Sequence, residues 1–88
     1  MTTPSAATQR FQAYLQRRNY APHTIESYRL DLHVFFASSG RTPETVTHQD
    51  VEGFLARQQA QGLAPTTLNR RLYALKHFFD FLLEHRMV

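Results

Sequence analysis

Three clusters of helix-breaking residues divide this chain into four segments, and they constrain the fold more than any other feature of the sequence. The breaks lie at Ala21-Pro22, at 38–43 and at 62–65. Each segment repeats its apolar residues at the three- and four-residue spacing of an amphipathic helix rather than at the two-residue spacing of a strand. The 88 residues, 42% of them hydrophobic, are enough for one small core. The sequence therefore predicts an all-α fold, a single compact four-helix bundle over 1–88.

The predicted helices begin at prolines or at a capping residue. Helix 1 is predicted over 5–18. Helix 2 is predicted from Pro22 to about residue 37, because proline at the first helical position needs no amide partner. Helix 3 follows Thr47, with Asp50 three residues later in the pattern of a capping box, and Gly62 fits the left-handed position past its end. Helix 4 is predicted from Pro65 to about residue 85 and is the longest element.

Two helices carry the clearest apolar faces. On helix 2 we interpret Glu26 and Asp31 as exposed partners of nearby arginines. On helix 4, Phe81 lies opposite the main row of apolar residues, where it either packs against helix 1 or docks a partner. We expect the inward face of helix 2 to comprise Ile25, Tyr28, Leu32, Phe35 and Phe36. We expect that of helix 4 to comprise Leu68, Leu72, Leu75, Phe79, Leu82 and Leu83.

Helices 2 and 4 also resemble each other when the sequence is offset by 43 residues. The offset aligns Ala21, Pro22, Thr24, Leu32, Phe35 and Phe36 with Ala64, Pro65, Thr67, Leu75, Phe78 and Phe79. Two similar helices suggest two similar roles. The alternative is that any helix begun by proline and ending in an aromatic pair would show the same match.

Composition excludes several classes of function. The chain has no cysteine, which removes disulfides, thiolate metal sites and cysteine nucleophiles, and no two of its five histidines stand three or four residues apart on one helix. It has no glycine-rich phosphate loop and no clustered carboxylate pair. We therefore expect no catalytic residues, no metal and no cofactor.

The location expected from the sequence is the cytoplasm. The chain has no apolar run long enough to cross a bilayer, and its first residues lack the layout of a secretory signal, so we expect no membrane partner. The formal charge is +3, from 10 Lys and Arg against 7 Asp and Glu, which moderately favours a polyanionic partner.

The basic residues form a ridge on helix 4. With Leu72 taken as the centre of the buried face, Thr66, Arg70 and His77 project to the opposite side, and Thr67 and Arg71 lie on its margin. The first turn adds unpaired amides and the positive end of the helix dipole, which suit a phosphate oxygen. Helix 2 repeats this arrangement at its own start with the residues His23, Thr24, Ser27 and Arg29. The same pattern also fits the solvated side of two amphipathic helices, and periodicity alone does not choose between the two.

Three stretches in order resemble the core-binding, SAM-like domain that precedes the catalytic domain of tyrosine recombinases and phage integrases, including the Xer type. Helix 2 matches the family pattern P-x-T-x3-Y-x2-D-L-x2-F, and helix 4 matches through GLAPTTLNRRLYALKHFFDFL. Helix 3 matches through Val46, Thr47, Asp50, Val51, Phe54 and Leu55. The match covers about 11–88. Alanine stands at 21 and 64, where the family often has serine before the proline.

The resemblance implies an orthogonal SAM-like bundle that binds double-stranded DNA. It implies that the family's chemistry belongs to a second domain absent from this chain, that helix 1 helps contact neighbouring recombinase protomers, and that the isolated domain is monomeric. Because alanine replaces serine at 21 and 64 and the connection at 38–43 is short, we expect the isolated domain to bind DNA weakly. The residues that it brings near DNA are His23, Thr24, Ser27, Thr66, Thr67, Arg70 and Arg71, with Arg29, Lys76 and His77 at the periphery. The alternative function is a helical protein-interaction module without DNA binding, anchored by an exposed aromatic such as Phe81 or Tyr73.

Overall fold

The computed structural model describes residues 5–85, and it contains four helices. They are α1 (Ser5–Arg17), α2 (Pro22–Ser39), α3 (His48–Ala60) and α4 (Pro65–Glu84). Between residues 5 and 85 there is no strand. The all-α four-helix bundle predicted from the sequence is confirmed, and the helix bounds differ from the predicted ones by at most two residues. The outer ends of the domain predicted over 1–88, at 1–4 and 86–88, lie outside the described residues.

The helix ends have the geometry that their residues predict. The Thr47 side chain accepts a hydrogen bond from the Asp50 amide at 3.1 Å, and the Asp50 carboxylate accepts one from the Thr47 amide at 2.8 Å, so the capping box of α3 is confirmed. The bond from the Thr47 amide is the main cause of a lowered pKa at Asp50. Gly62 follows α3 with φ 89°, in the left-handed region that favours glycine.

The core is aromatic, and each helix contributes one fully buried phenylalanine. Phe11 of α1 meets Phe78 of α4 with ring centroids 5.4 Å apart, and Phe35 of α2 meets Phe54 of α3 at 5.1 Å. Both pairs are edge to face, the arrangement that aromatic quadrupoles prefer. The four helices therefore close around a single core.

The inward face of α4 is rotated from the one predicted. Leu72 is 44% exposed and Leu83 is also exposed, whereas Ala74, Leu75 and Phe78 are buried. Leu72 and Phe78 are six residues apart, so they lie about 120° apart around the helix axis. The prediction that Leu72 marks the centre of the buried face is wrong, because α1 and α2 pack on the side of α4 that carries Phe78.

Phe81 lies in the core and packs against α1, which is one of the two positions predicted for it. Its ring centroid is 5.4 Å from Phe11 and 4.8 Å from Tyr14, and both of these residues belong to α1. Phe81 is buried by these contacts. The expected packing against helix 1 is confirmed, and Phe81 is not a docking residue.

Candidate nucleic-acid interface

A buried carboxylate joins α2 to α4 where the two helices cross. Asp31, on α2, is 1% exposed. Its Oδ2 accepts a hydrogen bond from Arg70 Nε at 3.0 Å, and its Oδ1 accepts from Arg70 Nη2 at 2.8 Å and from Arg71 Nε at 3.3 Å. The prediction of an exposed Asp31 is wrong. The carboxylate is stable inside the bundle because two guanidinium groups satisfy its oxygens and its charge.

The two arginines differ in how far they reach solvent. The Arg70 side chain is 46% exposed and that of Arg71 is 17% exposed. Arg71 Nη1 also donates to Gln58 Oε1 at 2.6 Å, which extends the network to α3. The contact with Asp31 raises the pKa of Arg70 above its ordinary value, chiefly through the side-chain hydrogen bonds. Arg70 therefore offers charge at the surface, whereas Arg71 mainly ties three helices together.

The starts of α2 and α4 have nearly the same backbone geometry. Ala21 has φ −63° and ψ 144°, Ala64 has φ −65° and ψ 147°, and neither helix has a side-chain cap at this position. The second residue of each helix, His23 or Thr66, is exposed. Its amide lies in the first turn, where N–H groups generally lack carbonyl partners within the helix. The next amide of α2, that of Thr24, donates to the Ala21 carbonyl at 3.0 Å. Both starts can therefore offer backbone N–H groups and the positive dipole end to an anion.

The hydroxyl groups predicted to accompany these starts lie at or near the surface. Thr24 and Ser27 on α2 and Thr67 on α4 are half-buried, and Thr66 is exposed. A hydroxyl can donate to a phosphate oxygen while its carbon atoms pack against the bundle.

His77 is placed by aromatic packing. Its ring lies 5.7 Å from Phe11, 5.6 Å from Tyr20 and 6.0 Å from Tyr28, measured between centroids, and the residue is half-buried. Burial is the main cause of a raised pKa at the Tyr28 phenol. The surroundings of His77 are thus those of a packed side chain at the edge of the core.

Arg29 and Lys76 have contacts of their own that do not belong to the Asp31 network. Arg29 binds Glu26 on its own helix through Nε at 3.0 Å and Nη2 at 2.6 Å. These bonds lower the pKa of the Glu26 carboxyl. Lys76 lines an apolar groove between α3 and α4, together with Leu72 and Phe79. The structure therefore brings Arg70 and Arg71 together on Asp31, whereas Arg29 is paired with Glu26 and Lys76 lines the groove.

Two observations bear on other kinds of site. No group of three or more metal-ligating side chains occurs in the part of the chain that the structure describes. Within residues 5–85, no helix has the length and hydropathy needed to cross a membrane.

The sequence profile of the phage integrase N-terminal SAM-like domain matches residues 8–86. The chain belongs to this family. The match includes α1 from Thr8 onward and the whole of α2, α3 and α4, so the resemblance predicted from the sequence is confirmed.

Curated relatives of this integrase-type domain are tyrosine recombinases. The chain is 33% identical, over its full length, to tyrosine recombinase XerC of Shewanella amazonensis and covers 30% of that protein. It is 35% identical to XerC of Pelotomaculum thermopropionicum, a match that spans 89% of this chain and 29% of the relative. XerC of Xanthomonas campestris pv. campestris is 33% identical over 91% of this chain and 26% of the relative. The chain thus spans less than a third of the relatives' length. No solved structure matches it significantly.

The residue that sequence reasoning missed in this integrase-type domain is Asp31. It lies three residues after Tyr28 and four before Phe35, both assigned to the inward face of helix 2, so its spacing already indicated burial. The carboxylate charge argued for solvent, and its arginine partners become evident only from the helix crossing.

Proposed function

We propose that this chain is the DNA-binding domain of a tyrosine recombinase and clamps a duplex with the leading turns of α2 and α4. The proposal is carried by the matched starts of these two helices, which have no capping side chain, together with the half-exposed guanidinium of Arg70 on α4. Free amides, hydroxyls and a guanidinium group are the donors that bind phosphate oxygens.

The individual roles follow from exposure. Thr24, Ser27, Thr66, Thr67 and Arg70 contact the duplex, and His23 adds an exposed donor at the start of α2. Arg71 supports Arg70 from within the network, and the peripheral contacts come from Arg29, Lys76 and His77.

The domain carries out no chemistry by itself in this proposal. Strand cleavage and rejoining belong to a catalytic domain elsewhere in a longer protein, on the opposite side of the duplex. The support is that the relatives bear the name tyrosine recombinase and are more than three times as long as this chain. The proposed partners are double-stranded DNA and neighbouring recombinase protomers, the location is the cytoplasm, and the isolated domain is a monomer.

A salt titration tests DNA binding. We expect the anisotropy of a fluorescein-labelled duplex to report an association constant that falls with salt, with a log–log slope of about −0.9 for each phosphate contact. Arg70→Ala should weaken binding and reduce the magnitude of the slope by about one contact.

The matched control is Arg41→Ala, which removes the same charge just beyond the far end of α2. Since α2 has 18 residues, this site lies about 27 Å from the first turn. The control should bind nearly as the unaltered chain does. Equal losses in the two variants, or an affinity that does not respond to salt, would contradict the proposal.

The second candidate function is a protein-interaction module. It is favoured by the groove between α3 and α4, where Val51 and Phe79 are half-buried and Leu72 is exposed. An apolar interface of this kind would respond little to salt, so the same titration separates the two functions.

A further inference from the structure

The contact with Asp31 uses one edge of the Arg70 guanidinium. Nε and Nη2 donate to the two carboxylate oxygens, in the bidentate arrangement that arginine favours. A guanidinium group has five N–H donors in a planar fork, so three remain for other acceptors. Two of these are on Nη1 and one is on Nη2. The Nη2 N–H and one of the Nη1 N–H groups are parallel and form a second edge of the fork. This edge can bind a pair of phosphate oxygens, or O6 and N7 of a guanine.

Asp31 cannot move with Arg70, because it is itself held in the bundle. It is 1% exposed and accepts a third hydrogen bond from Arg71, which is tied in turn to Gln58 on α3. The carboxylate therefore has a fixed position relative to three helices. The first edge of the Arg70 guanidinium is fixed with it.

The pair formed by Arg29 and Glu26 has the same chemistry without this support. Arg29 also donates through Nε and Nη2 to both carboxylate oxygens. Here the two side chains are 40% and 55% exposed, and both belong to α2. An exposed pair of this kind holds its partners only weakly. It supplies a matched reference for Asp31 and Arg70.

We propose that Asp31 is a positioning residue for DNA binding, which holds Arg70 by its Nε/Nη2 edge so that the Nη1/Nη2 edge faces the duplex. The inference rests on the proposed DNA-binding function. A guanidinium group that is ordered before binding loses less rotamer freedom when it meets DNA, which is worth a factor of about three to ten in affinity. The negative charge of Asp31 opposes DNA binding, and this ordering outweighs it.

Charge and positioning make opposite predictions for Asp31→Asn. The substitution removes one negative charge, so electrostatic attraction alone would tighten binding to DNA. Glu26→Gln is the matched control, because it removes the same charge from the same helix. With a fluorescein-labelled duplex at low salt, we expect Asp31→Asn to bind about three to ten times more weakly than the unaltered chain. Glu26→Gln should bind as tightly or more tightly.

If the Asp31 carboxylate only stabilised the fold, its replacement would not weaken DNA binding in a variant that stays folded. The fold of Asp31→Asn is therefore checked by far-ultraviolet circular dichroism before its affinity is read. If the folded variant binds as tightly as Glu26→Gln, the positioning role is overturned. If the unaltered chain binds no duplex, the proposed function itself fails, which is a distinct result.

A second pair of variants keeps the test decisive should Asp31→Asn not fold. Arg70→Lys retains the charge, but its single ammonium group cannot present one planar edge to Asp31 and a second to DNA. We expect a lower affinity with an unchanged salt slope, since the number of charges is unchanged. Arg41→Lys is the control, because Arg41 also pairs with a carboxylate, that of Asp50 at 3.2 Å, and lies outside the proposed interface. It should bind as the unaltered chain does. Equal affinities for the two lysine variants would overturn the proposal.

Discussion

The two helices that begin with proline are alike in backbone and core but not in charge. Their cap angles agree within 3°, and the aligned pairs Leu32 with Leu75 and Phe35 with Phe78 are all buried. At the same offset of 43 residues, Arg70 and Arg71 of α4 correspond to Ser27 and Tyr28 of α2. Asp31 of α2 corresponds to Ala74 of α4, and both of these residues are buried.

This difference shows that the crossing is complementary rather than symmetric. One helix supplies the buried acceptor and the other supplies the two guanidinium groups that it binds. Arg29, on α2, is instead paired with an acid of its own helix. Arg70, the surface cation that Asp31 holds in place, therefore belongs to α4, although the two helix starts look equivalent in sequence.

The largest expected effect tests whether the aligned core positions are equivalent. Leu32→Ala and Leu75→Ala should each lower the free energy of unfolding by about 2 to 5 kcal/mol, because each leaves a cavity in a packed core. Leu72→Ala, on the exposed side of α4, should cost less than about 1 kcal/mol. Urea denaturation followed by circular dichroism measures all three.

A cost at Leu72 as large as that at Leu75 would show that the face of α4 has been assigned wrongly. A cost at Leu32 far below that at Leu75 would break the equivalence of the two helices in the core.

A smaller effect is expected at the helix caps. Ala21→Ser and Ala64→Ser should each raise the free energy of unfolding by about 0.5 to 1 kcal/mol, since both positions already have the extended backbone of an N-cap and lack a capping side chain. Thr47→Ala should lower it by about 1 kcal/mol through loss of the capping box. Thermal and urea unfolding of the three variants give these values. A gain at one alanine but not at the other would indicate that the two helix starts differ.

The sequence predicts most of the fold because its signals are local. Prolines, glycines and the box formed by Thr47 and Asp50 determine where helices begin and end, and each acts within one turn. The motifs on helices 2, 3 and 4 then identified the family from the sequence. The DNA-contacting residues stay predictions.

The errors in the prediction concern long-range packing. Apolar residues surround much of α4, and which of them face the core depends on where α1 and α2 lie, so Leu72 was assigned to the wrong side. Asp31 has the spacing of a core residue and the chemistry of a surface residue. Only the crossing of α2 and α4 reveals the arginine partners that reconcile the two.

The most direct test of DNA binding by the two helix starts is an amide chemical-shift map with a short duplex at low ionic strength. The largest shifts are expected at Thr24, Ser27, Thr66, Thr67 and Arg70, with small shifts at Val51 and Leu55 in α3. Leading turns that do not shift, or shifts concentrated along α3, would contradict the account.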